Sequence, residues 1–214
     1  MHVAVIGANG GIGRELLAQL ADGRHEPIGI VRDEAQFDAV RERGGEPRLG
    51  DLEGEFEPAL DGADAVVFTA GSGGDTGWDK TLLVDLWGAR RSIDACMEQG
   101  IDRFVMVSAY RASEPLAGDG PIRAYRVAKR CADDYLEQSP LDGTILRPTT
   151  LTDADGTGHV SAAFEYRDTG RDSISRADVA GTVVAALDND ATIDETIGLF
   201  GGTTPIEQAI DPDE

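Results

Sequence analysis

The sequence predicts an α/β fold, a doubly wound parallel sheet flanked by helices and built as a single domain. Short apolar runs with strand character alternate with stretches of helical period along the chain. The clearest instance comes first: Val3-Ala-Val-Ile6 runs without a break into a glycine-rich turn, and a helical stripe of Ile12, Leu16, Leu17 and Leu20 follows. The length of 214 residues suits one domain over residues 1–214, with a core that needs neither disulfides nor metals.

Composition narrows the partners. The chain carries 40 acidic residues against 19 basic ones, a net charge of −21, and its only lysines are Lys80 and Lys129. Such a field argues against nucleic acid and against anionic membranes. The acids are spread over the whole chain, a composition similar to that of salt-accumulating halophiles, where molar salt shortens the Debye length to ~3 Å. No stretch approaches the ~20 apolar residues of a membrane span, and the N-terminus enters a strand at once, so a soluble, cytoplasmic protein is expected. Cys96 and Cys131 fall among apolar neighbours in predicted helices and read as buried free thiols. His2, His25 and His159 show no ligand spacing, so no metal site is expected.

In the first strand-to-helix turn, Gly7, Gly10 and Gly13 are spaced G-x-x-G-x-x-G. The first permits a tight turn, the second lets a phosphate approach the backbone, and the third lets the helix pack closely. The free N–H groups at the helix start would face a pyrophosphate, making Gly7, Asn9, Gly10, Gly11, Ile12 and Gly13 candidate cofactor contacts. Arg14 could add positive charge beside them.

Pro27-Ile-Gly-Ile-Val-Arg32 reads as the second strand. The residue at such a strand end, about 20 positions beyond the glycines, selects the cofactor: an acid for the ribose of NAD, an arginine for the 2′-phosphate of NADP. Arg32 therefore favours NADP (NADPH) over NAD, with Asp33 beside it and a solvated surface arginine as the alternative. A short helix over 34–43 leads to a third strand ending in Gly50-Asp51-Leu52, where Asp51 is either a contact to the adenine amino group or a loop aspartate.

The fourth strand, 64–70, ends at Ala70-Gly71, which would lie beside the Gly7 turn in a parallel sheet. A loop over 72–78 leads to a long helix, 78–98, with Leu82, Leu86, Ala89, Ile93 and Met97 on one face. The fifth strand, 103–107, ends in Ser108-Ala-Tyr110, and a loop over 113–121 precedes a helix over 121–138. On that helix Tyr125 and Lys129 lie one turn apart, beside a stripe of Ala128, Ala132, Tyr135 and Leu136. In a chain that otherwise uses arginine, a lysine there points to a need for a compact ammonium.

A sixth strand closes at Arg147-Pro148. The polar, glycine-containing stretch 149–174, with few large apolar residues such as Leu151, Val160, Phe164 and Tyr166, reads as a mobile substrate loop. Ser175-Arg-Ala-Asp178 is a capping-box-like start for a helix over 179–187, 197–200 is the last strand, and the acidic tail 211–214 is expected to fray.

Taken together, these pieces resemble the short-chain dehydrogenase/reductase superfamily over essentially the whole chain. The order Gly7-x-x-Gly10-x-x-Gly13, Ala70-Gly71, Ser108, Tyr125-x-x-x-Lys129 is the family's own. The glycine spacing, the Ile-Leu-Arg147-Pro148 strand end, the Arg176-Ala-Asp178-Val-Ala segment and the short C-terminal region resemble its small atypical NAD(P)-binding branch, which is NAD-dependent epimerase/dehydratase-like and NmrA-like. The resemblance implies a Rossmann-type sheet with cofactor contacts at the glycine turn, Ala70, Gly71, Lys129 and Pro148. It further implies that Tyr125 donates a proton to a carbonyl during hydride transfer, that Lys129 lowers the tyrosine pKa and holds the nicotinamide ribose, and that Ser108 orients the carbonyl. Where the family's main branch has an asparagine on the long helix, this chain has Asp85.

The expected function is an NADP-preferring oxidoreductase acting on a small carbonyl, hydroxyl or quinone-like substrate. The alternatives are a non-catalytic NADP-binding sensor and an epimerase or dehydratase; few residues follow Pro148 to build a nucleotide-sugar pocket. Besides the small-molecule substrate, the helices at 78–98 and 121–138 leave pairing into a homodimer open.

Overall fold

The computed structural model describes residues 1–73, 76–120, 122–164 and 173–212. Strand β1 (His2–Ile6) is followed by α1 (Gly11–Asp22), β2 (Glu26–Val31), α2 (Phe37–Arg41), β3 (Glu46–Leu49) and β4 (Ala65–Phe68). One long helical run then comprises α3 (Trp78–Lys80), a π-helix (Thr81–Gly88) and α4 (Ala89–Gln99). Next come β5 (Arg103–Val107), α5 (Ile122–Glu137), β6 (Asp142–Pro148), β7 (Thr150–Thr152), β8 (His159–Ala163) and β9 (Ser173–Ser175). The chain closes with α6 (Arg176–Leu187), β10 (Thr196–Gly201), β11 (Thr204–Pro205) and α7 (Ile206–Ala209).

The main sheet runs β3-β2-β1-β4-β5-β6-β10, all parallel, and β8 and β11 extend it on the β10 edge with β8 antiparallel to both neighbours. This is the predicted doubly wound Rossmann-type fold. Alternation within β1 divides the core: Val3 and Val5 pack with Leu16, Leu17, Val179 and Val183 under α1 and α6. Ala4 and Ile6 pack with Phe68, Ile93, Cys96, Phe104 and Leu136 under α4 and α5. The central strands β1, β4 and β5 are apolar along nearly their whole length because helices cover both faces. Among the described residues no helix is long and apolar enough to cross a membrane.

Three expectations are corrected. Of the apolar face expected on the long helix, Ala89 and Ile93 are buried, but Leu82 is 57% exposed and Met97 is exposed as well. The π-helix turns Thr81, Asp85 and Gly88 inward instead, since its wider i→i+5 turns re-phase the helix, and the half-buried Ser72 amide gives the Asp85 carboxylate a partner on that side. Within 149–174 the described residues hold three strands rather than one loop: β7 pairs with β9, and β8 sits between β10 and β11. Its polar look comes from exposed His159 and Ser161, while Val160 and Ala163 are buried on opposite faces of the strand. Tyr166, the rest of 165–172 and the tail residues 213–214 lie outside the described residues. Lastly, Cys131 is exposed and only Cys96 is buried; Ala128 and Ala132 carry the inward stripe of α5, which leaves Cys131 on its outer side.

Candidate functional site

The strand order reverses between β1 and β4, and outside their carboxyl ends lies a cleft of about 890 Å³, in the place where doubly wound sheets bind ligands and of a size to take one. Gly7 forms the corner. Its φ is +89°, and a Cβ there would lie 2.7 Å from Ala70 Cα, so the end of β4 presses directly on the turn. At Gly13 a Cβ would lie 2.4 Å from the Gly7 carbonyl oxygen, so the first turn of α1 packs on the same loop.

Helix α1 starts at Gly10 with no side-chain cap. Its first intrahelical bond runs from the Arg14 N–H to the Gly10 carbonyl at 2.9 Å, which leaves the N–H groups of Gly11, Ile12 and Gly13 without an acceptor inside the helix. Gly10 and Gly11 line the cleft, and with no side chain at either position the backbone fits the close approach of a phosphate.

Of the predicted contacts, the turn residues Gly7, Asn9, Gly10, Gly11 and Ile12 line the cleft, as do Arg32, the pair Asp51 and Leu52, and the pair Ala70 and Gly71. Gly13, Arg14 and Pro148 do not. Gly13 is buried beneath the turn, and Pro148 is buried in β6 opposite Leu199. Arg14 donates two hydrogen bonds to Asn9 Oδ1, at 2.9 and 2.7 Å, so it meets the cleft through Asn9 rather than by its own charge. Arg32 is exposed and has no hydrogen bond or ion pair among the described residues, whereas nearby Lys80 is held by Glu53 at 2.7 Å. The Asp51 carboxylate accepts the Glu53 N–H at 3.0 Å and shapes its own loop.

Sequence reasoning assigned no role to Arg176, the first residue of α6. Its side chain lies over Gly11, where a Cβ would come within 2.6 Å of Arg176 Cδ, and its guanidinium is paired with Asp153. Only the packing of α6 against α1 brings these residues together.

At the other end of the cleft, Tyr125, Lys129 and Asp133 recur every fourth residue on α5 and so share one face. Lys129 is 2% exposed; its Nζ donates to the Val107 carbonyl at 3.0 Å and lies 5.7 Å from the centroid of the Phe68 ring. Tyr125 is half-buried, and its hydroxyl has no partner among the described residues. Burial pushes its phenol pKa up; Lys129 opposes that, and the negative charges of Asp85 and Asp133 add to it. Lys129 thus lowers the pKa, but the net direction is upward, because desolvation of the phenolate outweighs the ammonium.

Ser108 lines the cleft from the end of β5, but its hydroxyl donates to Asp133 Oδ2 at 2.8 Å. Arg147 Nε donates to the same oxygen at 2.9 Å, and Arg147 Nη1 donates to Ser113 Oγ at 3.0 Å. Asp133 is fully buried; desolvation raises its carboxyl pKa, while Arg147, Ser108 and Lys129 pull the other way. Sequence reasoning missed Asp133, although its place one turn beyond Lys129 was readable. Asp85, also fully buried, reaches the cleft from the π-helix: Oδ2 accepts the Ser72 N–H at 3.0 Å, and Oδ1 has no partner among the described residues.

Comparison with known proteins agrees with this geometry. The model of the NAD(P)H-binding family matches residues 7–190. A protein of Bacillus subtilis (strain 168) described as the uncharacterized sugar epimerase YhfK is 46% identical over 214 residues, covering 98% of this chain and 99% of its own. Among solved structures, a putative NAD-dependent epimerase/dehydratase from Bacillus halodurans superposes with a TM-score of 0.95 at 43% identity, covering 98% of both chains. The oxidoreductase ylbE from Lactococcus lactis superposes with a TM-score of 0.86 at 27% identity, covering 98% of this chain and 95% of its own.

Proposed function

The chain belongs to the NAD(P)H-binding family, and on that premise we propose that it is an NADP-preferring reductase of small carbonyl compounds with Tyr125 as the proton donor. One observation carries this reading: an unpartnered phenol, kept protonated by burial, stands one turn from a buried ammonium in a cleft whose far end is an uncapped helix N-terminus. The α1 N-terminus with Gly10 and Gly11 would hold the pyrophosphate, Arg32 the 2′-phosphate, the Asp51–Leu52 loop the adenine, and Lys129 the ribose next to the nicotinamide. Arg32 supports NADP over NAD because its guanidinium is free of any acid partner among the described residues.

When bound, NADPH supplies a hydride for the carbonyl carbon. The protein's part is the proton. Tyr125 holds it at neutral pH and gives it to the carbonyl oxygen, and the Lys129 ammonium stabilises the phenolate left behind until solvent returns a proton. The test is NADPH oxidation in molar KCl against a panel of aldehydes, ketones and quinones, with wild type and Tyr125→Phe side by side. Turnover that collapses in the variant while NADPH still binds supports the reading. Tight binding without turnover of any substrate points to a sensor, and failure to bind either nucleotide overturns the assignment.

A second reading, an epimerase, is favoured by Asp85, a buried carboxylate with a free oxygen lining the same cleft as Tyr125. Two proton-transfer groups at one site could remove and return a proton. This reading predicts solvent deuterium entering the substrate without net consumption of NADPH.

A further inference from the structure

The Ser108 hydroxyl has one proton, and the protein already holds it. Asp133 Oδ2 accepts from both Ser108 Oγ, at 2.8 Å, and Arg147 Nε, at 2.9 Å. Both bonds persist whether or not Asp133 is ionised, because an added proton would sit on the unpartnered Oδ1. Asp133 is 0% exposed and Arg147 5%, so water does not compete for that oxygen. Toward the cleft, Ser108 therefore presents lone pairs only.

Asp85 adds a second acceptor of the same kind. Its Oδ2 is spent on the Ser72 N–H and its Oδ1 has no partner among the described residues. On the donor side, Lys129 Nζ is drawn onto the Val107 carbonyl and the Phe68 ring, which leaves the Tyr125 hydroxyl as the donor suited to a carbonyl oxygen. The Tyr125 hydroxyl thus stands as a donor beside Ser108, an acceptor whose own proton is already held.

We propose that Ser108 meets the substrate as a hydrogen-bond acceptor, and that the substrate is accordingly a hydroxylated carbonyl, an α-hydroxyaldehyde or α-hydroxyketone, rather than a bare carbonyl or a quinone. The proposal rests on the reductase reading for the fate of the carbonyl. The carbonyl oxygen takes the Tyr125 proton and the carbonyl carbon takes the hydride, while the neighbouring hydroxyl donates to Ser108 and is unchanged; the product is a vicinal diol. A carbonyl without that hydroxyl leaves the Ser108 lone pairs without the donor they are placed to meet, which a built polar pocket penalises about tenfold or more.

The experiment compares kcat/KM for hydroxyacetone and glycolaldehyde with that for acetone and acetaldehyde, in molar KCl with NADPH. In parallel, the binding of 1,2-propanediol and 1-propanol to the protein with NADP⁺ is followed by tryptophan fluorescence. The expected result is a preference of about tenfold or more for the hydroxylated member of each pair, falling toward unity in Ser108→Ala and retained in Ser108→Thr. Bare carbonyls turned over equally well or better would overturn the acceptor role while leaving the reductase intact, as would a preference that survives in Ser108→Ala. No turnover, combined with a diol preference lost in Ser108→Ala, would uphold the acceptor role and sink the reductase reading. Absence of both turnover and diol preference overturns the proposal.

Discussion

Asp85 accepts the Ser72 backbone N–H at 3.0 Å, so one buried carboxylate ties the π-helix to the loop after β4 on the wall of the cleft. Replacing Asp85 with alanine strands that N–H, and the expected loss of about 1–3 kcal/mol is measurable by chemical denaturation. Asparagine keeps an acceptor and should recover most of the loss. Its effect on the site is electrostatic: Asp85 raises the Tyr125 pKa, so Asp85→Asn should bring the phenol's titration to lower pH. The difference in ultraviolet absorbance between this variant with and without Tyr125→Phe isolates that phenol, and an upward or absent shift would refute the coupling.

The direction of the Tyr125 shift also fixes the pH dependence of the chemistry. A donor whose pKa lies above the ordinary 10 is fully protonated through neutrality. Reduction should therefore hold level across neutral pH and decline only in the alkaline range. Tyr125→Phe should cost about 10²–10⁴-fold in kcat. Lys129→Met removes the group that lowers the phenol's pKa and should move the alkaline limb further up. A limb that moves down in this variant would show that Lys129 does not act on the phenol.

Much of this was legible because it is local. The change of period at Gly7, the basic residue closing β2 and the Tyr125–Lys129 turn are all set within a few neighbouring residues, and the sheet follows from connecting such units. What stayed hidden depends on contacts between distant segments. Leu82 reads as core at helical spacing, but the π-helix re-phases that face and draws Asp85 inward. Ser108 reads as the group that orients the carbonyl, but Asp133, on a different element and held by Arg147 from β6, accepts its proton. β8 is hard to see because its inward residues include only Val160 and a small alanine, and its partner β10 lies more than thirty positions on.

The Asp133–Arg147 pair is almost wholly closed to solvent, with Nε to Oδ2 at 2.9 Å. Asp133→Ala removes the nearer anion from a buried guanidinium, leaving only Glu137 at 3.8 Å, and should cost about 3 kcal/mol in chemical denaturation. Replacing both partners together with apolar residues should cost less than the single change. A double variant as destabilised as Asp133→Ala, or more so, would contradict that account.

The two thiols should behave differently. Exposed Cys131 should react with a thiol-specific dye in the native state, and Cys96 only on unfolding. Burial pushes the Cys96 thiol up to about 12. The folded state then keeps its proton where the unfolded chain loses it, so the associated stability is present below about pH 9 and is lost as pH rises toward 12. Three pKa units correspond to about 4 kcal/mol at the end of that range. Cys96→Ala should flatten this limb, and an unchanged alkaline decline would assign it to other groups.

Salt should stabilise the fold by screening. The net charge of −21 means that 21 acids have no cation to pair with even if every arginine and lysine took one. Exposed pairs such as Arg24–Asp188 weaken in salt, but each contributes little. The mutual repulsion of the surplus acids weakens too, and it involves far more charges. Unfolding temperature should therefore climb steeply with KCl at first and level off near 1 M, where the Debye length is ~3 Å. Strengthened apolar burial predicts another pattern, a continuing rise that is larger for sulfate than for chloride at equal ionic strength. Matched ionic-strength series in the two salts separate the causes, and coincident curves would assign the effect to charge.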